Sequence, residues 1–234
     1  MKILSIGDCH GRDNWKQFIE ENPGYDKVIF VGDYVDSFTL SNEIIKNNLL
    51  DIIEFKKSDP DNVILLYGNH DCAYTLTAPN ESQKYGCSGY RFEAHWDLYN
   101  IFKENKDLFQ VAYQYKEHIW THAGIHRGWY LQRFLPEFNK YFSDFLGNIA
   151  DQLNKAFNYR LESLFDVGYA RGGSKNVGGI FWNDKSEASH KPLKGYHQIV
   201  GHTPVKDIES YSYPKFDCSI TYIDCEIKPF VINL

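Results

Sequence analysis

The sequence has no apolar run near the length of a membrane-spanning helix, which takes about 20 consecutive apolar residues. No apolar signal region precedes the first strand-like segment, at residues 2–6. We therefore expect a cytoplasmic protein that has no membrane partner. Internal repeats, low-complexity tracts and inter-domain linkers are also absent, so the 234 residues predict a single domain over residues 1–234.

Paired cysteines are missing too, because no two cysteines form a Cys-x-x-Cys pair. The chain has five cysteines, and this odd number indicates reduced thiols rather than a disulfide framework or a zinc ribbon. Cys9 and Cys72 lie inside the motifs described below. There a ligand role competes with a simpler interpretation, which we favour, that they are small residues filling tight loops.

The chain has no excess of basic residues. Its formal net charge is −6 and its isoelectric point is near 5.8. This charge argues against a broad nucleic-acid-binding surface, although it permits a local basic pocket. The apolar fraction of 43% and the charged fraction of 24% are ordinary for a globular protein, so composition sets no further limit on function.

Five short motifs rich in Asp, His and Asn follow apolar segments in chain order. They are Gly-Asp-Cys-His-Gly at 7–11, Gly-Asp-Tyr-Val-Asp at 32–36, Gly-Asn-His-Asp at 68–71, Thr-His-Ala-Gly at 121–124 and Gly-His-Thr-Pro at 201–204. One such motif is commonly only a turn. Five in order, each at the end of an expected strand, indicate a hydrolytic site that holds two metal ions.

The first third of the chain predicts alternating strands and helices. Strands are expected at residues 2–6, 27–31 and 63–67, with helices at 14–21 and from an N-cap at Ser41. This order predicts an α/β fold with a parallel sheet and right-handed crossovers. Ligands of such sheets bind outside the carboxyl ends of the strands, which is where the motifs lie.

The remaining segments are less regular. Residues 74–115 and 129–178 are interpreted as insertions, the first with a helix at 89–103 and the second mostly helical, with an aromatic stripe that serves packing. A fourth strand is expected at 118–120. Residues 198–200, 220–225 and 230–234 are predicted to be strands of a second sheet.

The side chains in the motifs are suited to Mn, Fe or Zn, of which Mn is the preferred expectation. Asp8 and His10 alternate along an extended loop and can face one ion, and Asp33 can bridge to a second. Asn69, His122 and His202 would hold that second ion. His70 and Asp36 are left without a ligand role, and a His bonded to a carboxylate is the usual general acid for a leaving alkoxide.

The chain resembles the calcineurin-like metallophosphoesterase superfamily, whose signature runs Asp-x-His, Gly-Asp-x-x-Asp, Gly-Asn-His-Asp/Glu, His, Gly-His. The resemblance implies a sandwich of two mixed β-sheets flanked by helices. It also implies metal binding by Asp8, His10, Asp33, Asn69, His122 and His202. By the same resemblance His70 is the catalytic acid or a phosphate ligand, and Asp36 supports it.

Residues 122–125, 179–184 and 201–204 are most similar to the phosphoprotein phosphatase-like branch, which includes symmetrical dinucleoside tetraphosphate hydrolases. That branch carries a phosphate-gripping Arg where this chain has Ser37. A missing bidentate Arg weakens the anchoring of a phosphomonoester. Arg12, Arg91, Arg127 and Arg171 are the alternatives considered. Arg127 and Arg171 are the preferred substrate-binding residues.

The simplest function is a phosphatase acting on a phosphomonoester by metal-activated water. The substrate would be a phosphorylated small molecule, a nucleotide or a phosphoprotein. A second hypothesis is hydrolysis of a dinucleoside polyphosphate or of a nucleotide or RNA phosphodiester. A third is a non-catalytic scaffold, which the full set of ligands disfavours. His95, His118, His190 and His197 are expected to be structural, whereas a contact with substrate stays open for His126.

Overall fold

The computed structural model describes residues 1–77, 87–226 and 228–234. The chain divides into two compact units, one of residues 1–110 with 225–234 and the other of residues 111–224. Part of the first expected insertion, residues 78–86, lies outside the described residues. The single domain over residues 1–234 and its two insertions stay predictions.

The first unit contains a five-stranded sheet in the order β10-β1-β2-β3-β4. Its strands are β1 (Lys2–Ile6), β2 (Lys27–Phe30), β3 (Val63–Leu66), β4 (Phe109–Gln110) and β10 (Phe230–Asn233). β1 to β4 run parallel. Because both faces of β1 and β2 are buried, these strands are continuous apolar runs rather than alternating ones. The predicted β-α-β-α-β opening is confirmed.

Two helices, Trp15–Glu21 and Asn42–Ser58, connect these parallel strands. Ser41 caps the second helix as predicted, since its side chain accepts a hydrogen bond from the backbone N–H of Ile44 at 3.3 Å. The helix expected at 89–103 begins later, at His95–Glu104. It is preceded by a 3₁₀ turn, Phe92–Ala94, because Arg91 has an extended backbone.

The second unit contains a five-stranded sheet in the order β5-β6-β7-β9-β8. Its strands are β5 (Ala112–Tyr115), β6 (His118–Thr121), β7 (His197–Val200), β8 (Glu209–Tyr213) and β9 (Cys218–Tyr222). The three central strands are parallel and the two edge strands are antiparallel. The α/β class with two mixed sheets is therefore confirmed.

The prediction that residues 230–234 join the second sheet is wrong. β10 pairs with β1 of the first sheet, antiparallel, with Lys2 opposite Asn233 and Ser5 opposite Phe230. Its residues alternate between half-buried and exposed, as on an edge strand. Such a pattern shows that a segment is a strand but does not encode which strand it pairs with.

The helical part of the second unit packs through its aromatic stripe. It consists of helices Arg127–Trp129, Leu135–Phe142 and Ile149–Asn158, a π-helical turn Tyr130–Phe134 and a 3₁₀ turn Glu162–Phe165; a short helix, Lys185–Ala188, follows later. Phe134 and Phe138 are buried with ring centroids 5.5 Å apart, which confirms packing as the role of the stripe. Among the described residues, no helix combines the length and apolar character needed to cross a membrane.

Candidate metal centre

Four of the predicted site residues have a left-handed backbone. Among the described residues, seven non-glycine residues have positive φ, and they include His10 (47°), Asp33 (54°), Asp36 (60°) and His202 (65°). This region is costly for most L-residues, and Asp and His are among the few types that enter it with some frequency. The surrounding structure holds these loops in conformations that they would not adopt alone, as is common at functional sites.

The loop after β2 is held by the buried carboxylate of Asp71. One oxygen accepts hydrogen bonds from the backbone N–H groups of Asp33 and Gly68, each at 2.8 Å, and the other accepts from Tyr34 at 2.9 Å. Gly68 must be glycine, because a Cβ there would lie 2.1 Å from the Asp33 carboxylate. Sequence analysis had included Asp71 in a motif but had given it no role.

His10 presents one ring nitrogen toward Asp33. Its Nδ1 lies 2.9 Å from the backbone oxygens of both Val35 and Asp36. Since a carbonyl oxygen only accepts, Nδ1 carries the proton and Nε2 keeps its lone pair. Nε2 lies 3.9 Å from Asp33 Oδ2. A backbone carbonyl that fixes the tautomer in this way is typical of a metal-binding histidine.

Asp33 is the centre of a three-residue cluster with His10 and His70. Its Oδ1 accepts the backbone N–H of His70 at 3.0 Å, and its Oδ2 lies 4.0 Å from His70 Nε2. One ligand atom from each of the three residues lies within 4.8 Å of the others. These separations are too long for hydrogen bonds but suit ligands about 2.0–2.2 Å from a shared ion. The donor set therefore fits a divalent metal.

Asp8, on the loop after β1, and Asn69, which begins a short helix, belong to the same unit but not to that cluster. Asp8 is buried, and its backbone oxygen accepts from Arg12 at 2.9 Å. Asn69 is buried at the start of the helix Asn69–Ala73, and its Nδ2 donates to Cys87 Sγ at 3.2 Å. The other amide atom, the oxygen that would bind a metal, is thereby directed away from Cys87. All five cysteines are free thiols and are buried. The filler role expected for Cys9 and Cys72 stays a prediction.

His70 and Asp36 form a buried pair. His70 Nδ1 lies 2.8 Å from Asp36 Oδ2, and Asp36 is 2% exposed. Burial alone would lower the pKa of His70, but the carboxylates of Asp33 and Asp36 outweigh it and raise this pKa to about 9. The two carboxylates therefore favour the protonated imidazole, which is the form required of a general acid.

The second unit brings His122 and His202 together. His122 Nε2 and His202 Nδ1 are 3.2 Å apart, and both residues are buried. The backbone N–H of Gly201 donates to the His122 oxygen at 2.8 Å, which joins the two loops. The Gln198 side chain pairs with both the N–H and the C=O of Ile125, at 2.7 and 3.2 Å, and so fixes the loop after β6.

Arg171 reaches the His202 loop but is already engaged. Its Nη2 donates to Thr203 Oγ1 at 2.7 Å, and its Nε lies 2.9 Å from Asp184 Oδ2. The Trp182 ring meets His202 edge to face, with centroids 5.9 Å apart. The positive charge of Arg171 is thus balanced within the loop.

Arg127 is exposed and lies in a cleft of about 450 Å³ that is also lined by Lys194, Tyr130 and Tyr196. Within the described part of the chain its guanidinium meets no acidic side chain. Of the two arginines preferred from the sequence, Arg127 is therefore the one without an acidic partner in the described part of the chain.

The other two arginines considered have structural partners. Arg91 donates to Asn42 Oδ1 at 2.5 Å, to the Leu40 oxygen at 2.6 Å and to the Ser37 oxygen. Arg12, besides its bond to Asp8, pairs with Glu226 at 3.1 Å. Arg91 therefore anchors the loop in which Ser37 stands in place of the family's Arg.

His126, whose role the sequence left open, caps a helix. Its Nδ1 accepts from the backbone N–H groups of Gly128 and Trp129 at 3.1 and 3.2 Å. Burial, with the nearby Lys191 and His190, lowers its pKa to about 4. Two of the histidines expected to be structural also bond within the protein, His95 to Tyr90 and His197 to Ser219.

One of three comparisons with known proteins, a sequence profile, identifies the family. A sequence profile of calcineurin-like phosphoesterases matches residues 1–224. No curated protein sequence matches the chain significantly. A serine/threonine phosphatase structure from Saccharomyces cerevisiae is 16% identical, with TM-score 0.48, over 95% of this chain and 67% of that one. A metallophosphoesterase from Sphaerobacter thermophilus is 14% identical, with TM-score 0.39, over 95% and 75%. On the profile match, the chain belongs to the calcineurin-like phosphoesterase family.

Proposed function

We propose that this protein is a dinuclear metal-dependent phosphatase that hydrolyses a phosphomonoester with metal-activated water. Family membership supports the general class, a metal-dependent phosphoric ester hydrolase. The observation that carries the proposal is the pair His10 and Asp33: the backbone oxygen of Val35 holds His10 Nδ1, and Nε2 lies 3.9 Å from Asp33 Oδ2, where one ion could bind both.

We assign the metal ligands by the family pattern. Asp8, His10 and Asp33 would hold one ion, and Asn69, His122 and His202 would hold the other, with Asp33 shared between them. The separation of 3.2 Å between His122 Nε2 and His202 Nδ1 supports a shared ion for those two residues. When bound, two such ions polarise a phosphate and lower the pKa of a water. Mn is the preferred metal, with Fe or Zn as alternatives.

Side chains of the protein supply the proton for the leaving group and bind the phosphate. Water attacks phosphorus, the bond to the leaving oxygen breaks, and His70 gives its Nε2 proton to that oxygen. Asp36 holds the opposite ring nitrogen at 2.8 Å, which supports this orientation. Arg127 grips the phosphate, or the group attached to it, because its guanidinium is exposed. Arg171 contributes less, since Asp184 already balances its charge.

The substrate is a phosphorylated small molecule, a nucleotide or a phosphoprotein, and the net charge of −6 argues against a nucleic-acid surface. A panel of four substrates tests the proposal with Mn-loaded and chelator-stripped protein: an aryl phosphomonoester, a phosphodiester, a phosphopeptide and a dinucleoside tetraphosphate. Metal-dependent release of inorganic phosphate from the first is expected.

Two outcomes would contradict the proposal. Faster hydrolysis of the diester or of the tetraphosphate would move the function to that substrate class. No hydrolysis of any of the four by Mn-, Fe- or Zn-loaded protein would favour a binding scaffold instead.

A further inference from the structure

A buried tyrosine outside every motif contacts the proposed catalytic pair. Tyr74 follows the helix Asn69–Ala73 and is fully buried. Its hydroxyl donates to Asp36 Oδ1 and accepts the backbone N–H of Arg91 at 2.9 Å. A buried phenol that both donates and accepts has its hydrogen-bonding capacity satisfied and its orientation fixed.

The Asp36 carboxylate is consequently held at both oxygens. Oδ1 receives Tyr74, and Oδ2 receives His70 Nδ1 at 2.8 Å. A carboxylate with a partner on each oxygen cannot rotate about its terminal bond without breaking one of them. The plane of the His70 ring, which depends on Oδ2, therefore depends on Tyr74 as well.

Tyr74 is in turn immobilised by the segment that carries Tyr90 and His95. Its ring stacks on Tyr90 with centroids 5.0 Å apart and an interplanar angle of 28°. The Tyr90 hydroxyl lies 2.7 Å from His95 Nδ1. Because the Arg91 side chain binds the Ser37 and Leu40 oxygens, the same segment also holds the loop that follows Asp36.

We propose that Tyr74 is a positioning residue: its hydrogen bond to Asp36 fixes the orientation in which His70 delivers a proton to the leaving group. This inference rests on the proposed function. The described hydrogen bonds of the Tyr74 hydroxyl join it to Asp36 and Arg91, neither of which is a proposed metal ligand, so its loss should affect proton delivery rather than metal binding.

The test compares Tyr74→Phe with Tyr222→Phe, a matched control. Tyr222 is also buried and its hydroxyl also bonds inside the protein, to the Lys185 oxygen at 3.3 Å. Each variant is assayed on an aryl phosphate, which has a good leaving group, and on an alkyl phosphate, which needs a proton. We expect Tyr74→Phe to lower kcat on the alkyl ester by about 10-fold or more, within the range for a weakened general acid. We expect KM, metal content and aryl turnover to stay near those of the control.

A double-mutant cycle measures the coupling between Tyr74 and His70, which a purely structural role of Tyr74 would not produce. In a His70→Asn background the Tyr74→Phe effect should disappear, because its route to the substrate is gone. Proton NMR of metal-free protein supplies a measurement apart from activity. The downfield Nδ1–H signal of His70 should shift in Tyr74→Phe and be missing in His70→Asn.

Each result has one meaning. Wild-type protein inactive on both esters would overturn the proposed function. Active wild-type protein with equal losses on both esters, no loss, or an additive double mutant would overturn the role of Tyr74 alone. If Tyr74→Phe does not fold, 3-fluorotyrosine at position 74 changes donor strength with the ring intact. Alkyl-ester turnover should then change relative to aryl-ester turnover, and unchanged kinetics would overturn the inference.

Discussion

The Nδ1 atom of His10 lies 2.9 Å from the backbone oxygen of Val35, and this contact determines which ring nitrogen can bind a metal. The proton that Nδ1 donates leaves Nε2 with its lone pair, 3.9 Å from Asp33 Oδ2. A metal-free protein thus already holds one ligand in the tautomer that an ion requires. We expect affinity to depend on this preorganisation.

The first prediction concerns Asp33→Asn. An amide is a weaker and uncharged ligand, so both proposed ions should be lost or bound far more weakly, and hydrolysis should fall to the background level. Metal analysis after gel filtration and phosphate release measure the two effects. Asp51→Asn, an exposed change in the same unit that removes only a surface pair with Lys16, is the control. Two ions retained by Asp33→Asn would refute the bridging role.

The second prediction separates His70 from the ligands. His70→Asn should keep the metals but slow turnover by about 10²–10⁴, the range for a lost general acid. The loss should be largest for esters with basic leaving groups. Loss of a metal ion from this variant would instead make His70 a ligand, as its position within 4.8 Å of the His10 and Asp33 ligand atoms permits.

The third prediction ranks the arginines. Arg127→Ala should raise KM or lower kcat/KM more than Arg171→Ala, because the Asp184 carboxylate already pairs with the Arg171 guanidinium. The control is Lys140→Ala, which removes an exposed cation elsewhere in the second unit. Arg133 is unsuitable as a control since it pairs with the buried Asp166 at 3.0 Å. Unchanged kinetics in both arginine variants would indicate that the substrate phosphate is bound by the metals and His70 without either arginine.

The fourth prediction restores the family residue at position 37. Ser37→Arg places a forked cation next to Asp36 and should lower KM for a phosphomonoester dianion. A small loss of stability is expected, because the Ser37 hydroxyl accepts from the backbone N–H groups of Thr39 and Leu40 at 3.3 Å. Ser37→Lys is the comparison, because an ammonium group lacks the two parallel N–H donors of a guanidinium and should lower KM less. An equal gain from both would show that charge alone matters.

The fifth prediction concerns stability at acidic pH. The pKa of His126 is about 4 in the folded protein and near 6.5 in the unfolded chain, so the unfolded state takes up the proton first. Stability should fall by about 1 to 3 kcal/mol as pH drops from 6.5 to 4. His126→Asn keeps a capping oxygen but does not titrate, so its urea-unfolding free energy should fall less over that range. The wild type measured over the same range is the comparison, and an equal fall in both proteins would contradict the prediction.

The order of elements and the motif positions followed from the sequence because buried parallel strands are continuous apolar runs. β1 was predicted to the residue and β2 to within one. β4, β5 and β8 were not predicted: β4 has two residues, and β8 carries alternating Ser and Tyr on an exposed edge. The partner of β10 also escaped prediction, since pairing between distant segments leaves no local pattern.

In the candidate site, too, the sequence predicted some features and only the structure showed others. Residue types and spacing named the motif residues, yet the cluster formed by His10, Asp33 and His70 needed three dimensions. Asp71 and Tyr74 form hydrogen bonds to groups 37 or 38 residues away in the chain, so no local signal marks them. Likewise, only the three hydrogen-bond acceptors of Arg91 show that it holds the loop containing Ser37.

The left-handed backbone at Asp33 and Asp36, with φ of 54° and 60°, limits how this protein can change. Glycine would relieve the conformational cost at either position while removing the carboxylate. Asp36→Gly would lose the hydrogen bonds of the carboxylate, but relief of the backbone strain would offset part of that loss of stability. A β-branched residue would lose the same hydrogen bonds and increase the strain. Among substitutions at these positions, Gly and Asn should therefore cost the least stability.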